Sequence, residues 1–221
     1  MTQNASKNRS WPWTVEPDRE WIAALVAKHS VTQYRLPISA TMRAAIEPAL
    51  VRLRDEHRSG HSLILDAGCG TGASTVSLAQ CYCDAFVVGV DRSAVRLRKS
   101  PPLPPNTLLV RARLEEFWLM VHQSDIVFDR TLLLYPNPYP KRCHIGRRWY
   151  GHPILPTILA TARLIELRTN LEWYAADWAF ALEQCGWQWQ CRLLPNSDVL
   201  SPFERKYVEH GYQRWIVIAY Q

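Results

Sequence analysis

The sequence predicts an open, mostly parallel α/β sheet that ends in an antiparallel hairpin. Three observations carry this expectation. Strand-length apolar runs alternate with stretches of helical spacing from about residue 46 onward. Early runs such as "SLILDA" (62–67) and "AFVVGVD" (85–91) have no polar alternation, as expected of strands covered on both faces. The last two runs, "WQWQCRLL" (187–194) and "QRWIVIAY" (213–220), alternate like an antiparallel pair.

Taken in order, residues 1–45 read as an N-terminal arm packed on the domain. The arm is broken at "WPW" (11–13) and at "YRLP" (34–37), with a short helix in "DREWIAALVAKH" (18–29). The domain proper is expected over 46–221. Its first strand, 62–67, is followed by a helix in "GASTVSLAQCY" (72–82), whose apolar residues fall on one side. A second strand (85–91) leads to a helix in "RSAVRLRKS" (92–100), stopped by "PPLPPN" (101–106). A third strand, "TLLVRA" (107–112), precedes a helix at 114–123, and "DIVFDRTLLLY" (125–135) reads as a fourth strand or a strand pair. A helix from about Pro153, a strand "LIELRT" (164–169) and a helix over 171–186 complete the alternation before the hairpin. No internal repeat or low-complexity segment interrupts it.

Composition narrows the function classes. With 221 residues, 48% hydrophobic and 21% charged, the chain has room for one well-cored domain and is not of disordered composition. The longest apolar runs are too short to span a bilayer, and residues 1–20 lack the apolar segment of a secretory signal. Six cysteines without C-x-x-C spacing read as reduced thiols, so neither zinc nor a disulfide framework is expected, and the compartment is expected to be cytoplasmic. His29, His57, His61 and His122 have no partners at ligand spacing, and no metal is expected. Most of the ten tryptophans are expected to pack the core or the arm. The net charge of +6 permits a nucleic-acid partner. Arg96, Arg98 and Lys99 read as a solvated basic helix end.

The turn after the first strand carries the first chemical signal. In "LDAGCGTGAS", Gly68, Gly70 and Gly72 have the spacing G-x-G-x-G, which lets the backbone turn sharply and approach a ligand. Asp66 precedes the turn directly and suits an ammonium better than a phosphate. Asp91, at the tip of the second strand, sits where such folds hold ribose hydroxyls. This combination resembles the class I S-adenosylmethionine-dependent methyltransferases, which implies a Rossmann-like fold and that cofactor. The resemblance further implies that the stretch after the third strand, with Ala112 and Arg113, helps hold the adenine.

The second signal follows the fourth strand. In "YPNPYPKRCHIGRRW" (135–149), prolines on both sides of Asn137 and of Tyr139 restrict the backbone to extended and turn shapes. Lys141, Arg142, Arg147 and Arg148 then offer donors suited to phosphates, with His144 among them. Pro136-Asn137-Pro138-Tyr139, Lys141, His144, Arg147 and Arg148 resemble the "PDPW-x-K-x-x-H-x-x-R-R" signature of bacterial single-chain tRNA (guanine-N7)-methyltransferases. "LRTNLEWYAADW" resembles the family's T-D-x-x-x-Y-A segment through Thr169, Tyr174 and Ala175. "SPFERKYVEHG" resembles its T-x-F-E-x-(K/R) block through Phe203, Glu204, Lys206 and Gly211. The resemblance covers about residues 60–221. It implies methyl transfer to N7 of a guanine in tRNA, by a monomer or weak homodimer, with tRNA or other RNA as partner. On that reading Tyr139, Thr169 and Glu204 frame the base with Asn137 beside it. Ser201 lies in the same frame, and Lys141, His144, Arg147 and Arg148 hold the RNA backbone.

The chain departs from the family where charge matters. Asn137 and Asn170 replace two aspartates, Tyr139 a tryptophan and Ser201 a threonine, and "ATAR" (160–163) replaces a P-G-G turn. Guanine N7 is already a nucleophile, so no general base is needed, but methylation leaves the ring cationic and a nearby carboxylate would stabilise it. Glu204 is the residue expected to supply that charge, with Asp129 second. Two alternatives stay open. "NPYP" is close to the (D/N)-P-P-(Y/F/W) motif of methyltransferases acting on exocyclic amines, so another acceptor or a non-tRNA substrate fits. Loss of both aspartates also fits an RNA-binding paralogue without catalysis.

Overall fold

A computed structural model describes residues 17–221 of the chain, and the "WPW" segment lies outside the described residues. Seven strands form one sheet in the order β3-β2-β1-β4-β5-β7-β6. β1 (Ser62–Ala67), β2 (Ala85–Asp91), β3 (Thr107–Arg111), β4 (Arg130–Leu134) and β5 (Leu164–Thr169) run parallel. β7 (Trp215–Tyr220) pairs antiparallel with both β5 and β6 (Gln188–Leu193), which is the hairpin that the alternating pattern predicts. The chain winds outward from β1 to β3, then returns to the other side of β1 with β4. That reversal leaves a crevice at the carboxyl ends of β1 and β4, the place where open α/β sheets bind ligands.

Burial follows the patterns. Every residue of β2 is buried, as is all of β1 after its first residue, because helices cover both faces. α2 (Ala40–Arg58) lies against β1 and β3, and α5 (Leu114–Gln123) lies against α2. On the other flank α7 (Glu172–Gln184) packs on β5, β6 and β7, and α1 (Arg19–Ser30) lies on α7. α3 (Ala73–Cys81), the short α4 (Ala94–Leu97), α6 (Leu155–Ala160) and α8 (Pro202–Glu209) complete the set.

Several elements differ from expectation. α2 is a continuous helix that runs through the 45/46 boundary, so the arm merges with the domain there. Its apolar stripe, Ile46, Ala49, Leu50 and Leu53, is buried, and Ser39 caps it by accepting from the Met42 N–H. Pro48 sits inside this helix. The fourth strand is one short element from Arg130, with Phe128 making only an isolated bridge to Ala162. α8 and a 3-10 turn at Arg142–Arg147 occupy stretches that were read only as motif blocks.

Candidate functional site

A cleft of about 550 Å³ opens at the reversal between β1 and β4. One half is built from the glycine turn and the ends of β2 and β3; the other is the loop after β4. Gly68, Gly70 and Gly72 all have positive φ (87°, 62° and 78°), which glycine adopts without strain. The Gly68 and Cys69 amides donate to the Val90 carbonyl, fastening the turn to β2. A further glycine, Gly89, makes this possible: a Cβ there would stand 2.4 Å from the Thr75 hydroxyl and 2.7 Å from Leu109. The only signal of Gly89 in the sequence is a glycine inside an otherwise apolar strand.

The two turn carboxylates have different settings. Asp66 is buried, and its Oδ2 accepts from the Ser74 and Thr75 hydroxyls, both at 2.7 Å. Its Oδ1 is buried without a hydrogen-bond partner. Burial raises its pKa to about 6, against the opposing pull of the two hydroxyls. Asp91 lines the cleft, accepts from the amides of Gly70 (3.1 Å) and Ser93 (2.7 Å), and pairs with Arg96 at 3.0 Å. Arg96 is therefore not merely part of a solvated helix end. Ala112, buried, and Arg113, exposed and paired with Glu115 at 3.7 Å, both line the cleft. These residues fit S-adenosylmethionine: an orphaned buried carboxylate oxygen beside an open glycine turn suits an ammonium, and Asp91 suits ribose hydroxyls.

The acceptor half is held by ion pairs that the sequence conceals. Tyr135 and Tyr139 line the cleft with φ of 49° and 43°, unusual for residues with a side chain. Asn137 is exposed and lines the cleft, and its Oδ1 accepts from the Tyr139 N–H at 3.3 Å, bracing the loop. Arg147 is exposed on the cleft wall, as is Arg92, and neither has a carboxylate partner among the described residues. Lys141 is exposed, and the half-buried His144 meets Tyr139 edge-on at 6.3 Å, but neither lines the cleft.

Four of the expected substrate contacts do other work. Arg148 is buried, donates to the carbonyls of Tyr139, Pro140 and Lys141, pairs with Asp177 at 3.3 Å and lies over the Trp173 ring. It braces the loop and has no donor free for a phosphate. Glu204 is only 1% exposed: it accepts from the Tyr135 hydroxyl at 2.7 Å and the Leu200 N–H at 2.7 Å, and pairs with Arg168 and Arg214. Its carboxylate is closed off from the cleft, because two buried guanidiniums need it. Thr169 is buried, with its hydroxyl accepting from the Leu171 N–H, and Ser201 caps α8 through the Glu204 N–H. Asp129, the second candidate for charge, accepts from the Leu63 N–H and pairs with Arg163. Arg142 pairs with Asp18 at 3.0 Å and covers Trp21, tying the loop to the start of α1.

Trp149 and His152 also line the cleft and had no signal in the sequence pattern. His152 Nδ1 accepts from the Ile154 N–H at 3.1 Å, and burial lowers its pKa, so the ring is neutral with the proton on Nε2. Among the described residues there is no cluster of three or more His, Cys, Asp or Glu able to hold a metal, and no helix long and apolar enough to cross a membrane.

The architecture is the Rossmann-like fold of class I S-adenosylmethionine-dependent methyltransferases, and residues 64–144 match the family model described as "Methyltransferase domain". S-adenosylmethionine is accordingly its cofactor. Among curated proteins the chain is similar to the tRNA (guanine-N(7)-)-methyltransferase of Corynebacterium diphtheriae, 27% identical over 67% of this chain and 63% of that protein. It is likewise similar to the Thermotoga maritima protein of the same name, 24% identical over 71% of this chain and 53% of that one. The chain thus spans less than two thirds of the length of these relatives. Among solved structures it resembles the 16S rRNA (adenine(1408)-N(1))-methyltransferase from Catenulisporales acidiphilia, crystallised with its cosubstrate. That match has a TM-score of 0.56 and 18% identity over 77% of this chain and 90% of that one.

Proposed function

We propose that this chain methylates a nucleic-acid base, with N7 of a guanine in tRNA as the acceptor. One observation carries the reading. A single cleft joins the glycine turn and Asp91 to two tyrosine rings and to Arg92 and Arg147, whose guanidiniums have no carboxylate partner among the described residues. A cationic wall beside flat rings favours a phosphate-bearing, planar acceptor. The relatives named for guanine-N7 transfer support the choice of atom.

S-adenosylmethionine, when bound, supplies an electrophilic methyl on a sulfonium. The chain's own part is to bind, orient and stabilise. Asp66 and Asp91 hold the ammonium and ribose ends, with the turn amides between them. The acceptor base rests against Tyr139, and Arg147 engages an adjoining phosphate. N7 carries its own lone pair, so no side chain has to remove a proton. Guanine presents N7 and O6 side by side on one edge, and the Asn137 amide, its oxygen held by the Tyr139 N–H, keeps Nδ2 to donate to O6. An aspartate lacks that donor. Positive charge developing on the ring falls to the Glu115 carboxylate, which lines the cleft, rather than to Glu204.

The exocyclic-amine alternative needs the Asn137 carbonyl to accept from the amine, and that oxygen already accepts from the Tyr139 N–H, which leaves it one lone pair for the purpose. A binding protein without catalysis would not need the glycine turn and Asp91 kept in register. The decisive experiment incubates the protein with labelled S-adenosylmethionine and bulk tRNA from cells lacking the gene, followed by nucleoside mass spectrometry. A new 7-methylguanosine peak is expected. No transfer to tRNA by protein that still binds the cofactor would overturn the acceptor assignment.

A further inference from the structure

The rings of Tyr135, Phe203, Tyr207 and Tyr212 form one connected cluster that begins at the cleft wall and ends at the surface. Tyr135 stacks on Tyr207 with centroids 5.1 Å apart and planes 20° from parallel. Phe203 meets Tyr135 edge-on at 5.6 Å and Tyr207 at 5.1 Å. Tyr212 meets Tyr207 at 5.6 Å. Local sequence explains the grouping. Phe203 and Tyr207 are four apart on α8 and share a face, and Gly211, with φ of 71°, reverses the chain so that the Tyr212 N–H donates to the Tyr207 carbonyl. The base of the cluster is fixed, since the Tyr135 hydroxyl bonds to Glu204, itself clamped by Arg168 and Arg214. Its outer end is open: Phe203 and Tyr212 are each 54% exposed.

We propose that this aromatic edge is a stacking platform for an unpaired RNA base next to the acceptor nucleotide. The proposal rests on the nucleic-acid reading above and extends it to a second base. Rigid rings exposed beside a cationic groove are what base stacking requires, because each base offers a π-face whatever its identity. The platform is continuous with the acceptor site through Tyr135, which belongs to both. Charge agrees with RNA, since Arg205 and Lys206 are exposed on the same helix against one exposed carboxylate, Glu209. A nucleotide lying on Phe203 and Tyr212 would keep the strand splayed open, leaving its neighbour free to turn into the cleft.

The test compares binding of a short fluorescein-labelled single-stranded RNA to the full chain and its variants, with S-adenosylhomocysteine present. Phe203→Ala and Tyr212→Ala are each expected to weaken RNA binding on the order of tenfold. Affinity for S-adenosylhomocysteine and its thermal stabilisation of the protein should not change, which shows the variants are folded. Phe203→Leu should lose as much as Phe203→Ala, whereas Phe203→Trp and Tyr212→Phe should bind like the parent. Ultraviolet cross-linking should place RNA adducts on Phe203 or Tyr212. Equal binding by parent and alanine variants would overturn the platform and leave the nucleic-acid reading standing, as would full binding by Phe203→Leu. Parent protein that binds S-adenosylhomocysteine but no RNA would overturn both. Self-association of the parent that Phe203→Ala abolishes, with RNA binding unchanged, would assign the edge to a second copy of the chain instead.

Discussion

The two halves of the cleft are made in different ways. On the cofactor side, backbone does most of the positioning: three glycines at positive φ, amides bonded to Val90 and Asp91, and a β2 glycine that lets the turn sit close. On the acceptor side, long-range ion pairs do it. Arg148 and Asp177 are 29 residues apart, and Arg168 and Glu204 are 36 apart. A turn that depends on backbone geometry can keep its shape while its surroundings vary. A loop that depends on charge networks changes its chemistry whenever one partner changes, which makes it the place where acceptor preference can diverge. Asn137, where the signature that the loop resembles has a carboxylate, falls on that side.

The largest effect is expected from breaking the acceptor network. Glu204→Ala leaves Arg168 and Arg214 without a shared carboxylate, at a cost of about 3–5 kcal/mol, or a melting temperature lower by about 10 °C. Calorimetry on the parent and the variant checks this. Lost activity with unchanged melting temperature would instead make Glu204 a direct participant and erase the contrast between the halves.

Asp66 gives the next largest effect, and it depends on pH. Its folded pKa of about 6 lies above the ordinary 3.8 of an aspartate, because the side chain is buried. The folded state therefore favours the protonated form, and that advantage, complete below about pH 4, is lost as pH rises through 6. Between pH 4 and pH 7 the parent should lose about 2 kcal/mol of stability relative to Asp66→Asn, read from urea unfolding of both proteins. Cofactor binding should tighten over the same interval and release a proton, since an ammonium favours the ionised carboxylate. Gly89→Ala should then cost about 1–3 kcal/mol by overpacking the turn, with weaker S-adenosylhomocysteine binding in a titration. The smallest effect is expected at Arg147. Arg147→Ala should lower the salt slope of RNA binding by about one and leave cofactor affinity unchanged.

The same difference governs what could be read from sequence. The parallel sheet, the hairpin and the turn with Asp66 and Asp91 were legible because each is written in adjacent residues. Ala112 and Arg113, transferred by resemblance, line the cleft with Asp91, whereas Asp66 is buried behind the turn. The acceptor side was legible only in outline. Tyr139, Asn137 and Arg147 reach the cleft, but Arg148, Glu204, Thr169 and Ser201 turn inward, and no local pattern distinguishes a buried arginine from one that greets a phosphate. Asp177 carries no signal in the helix expected over 171–186, although it holds Arg148. Neither α2, whose apolar stripe is interrupted by Pro48, nor α8, whose residues carry a motif block, is among the elements that the sequence pattern predicts.

The bonds from Arg148 to three successive carbonyls have a further consequence. Those carbonyls belong to the loop, while the guanidinium is held in place by Asp177 on α7, and α7 in turn underlies α1. The loop's order is therefore borrowed from the far flank of the molecule. A fluctuation that loosens α7 from the sheet would slacken that loop while the glycine turn, fastened to β2, stayed formed. On gentle warming one wall of the cleft would soften before the other.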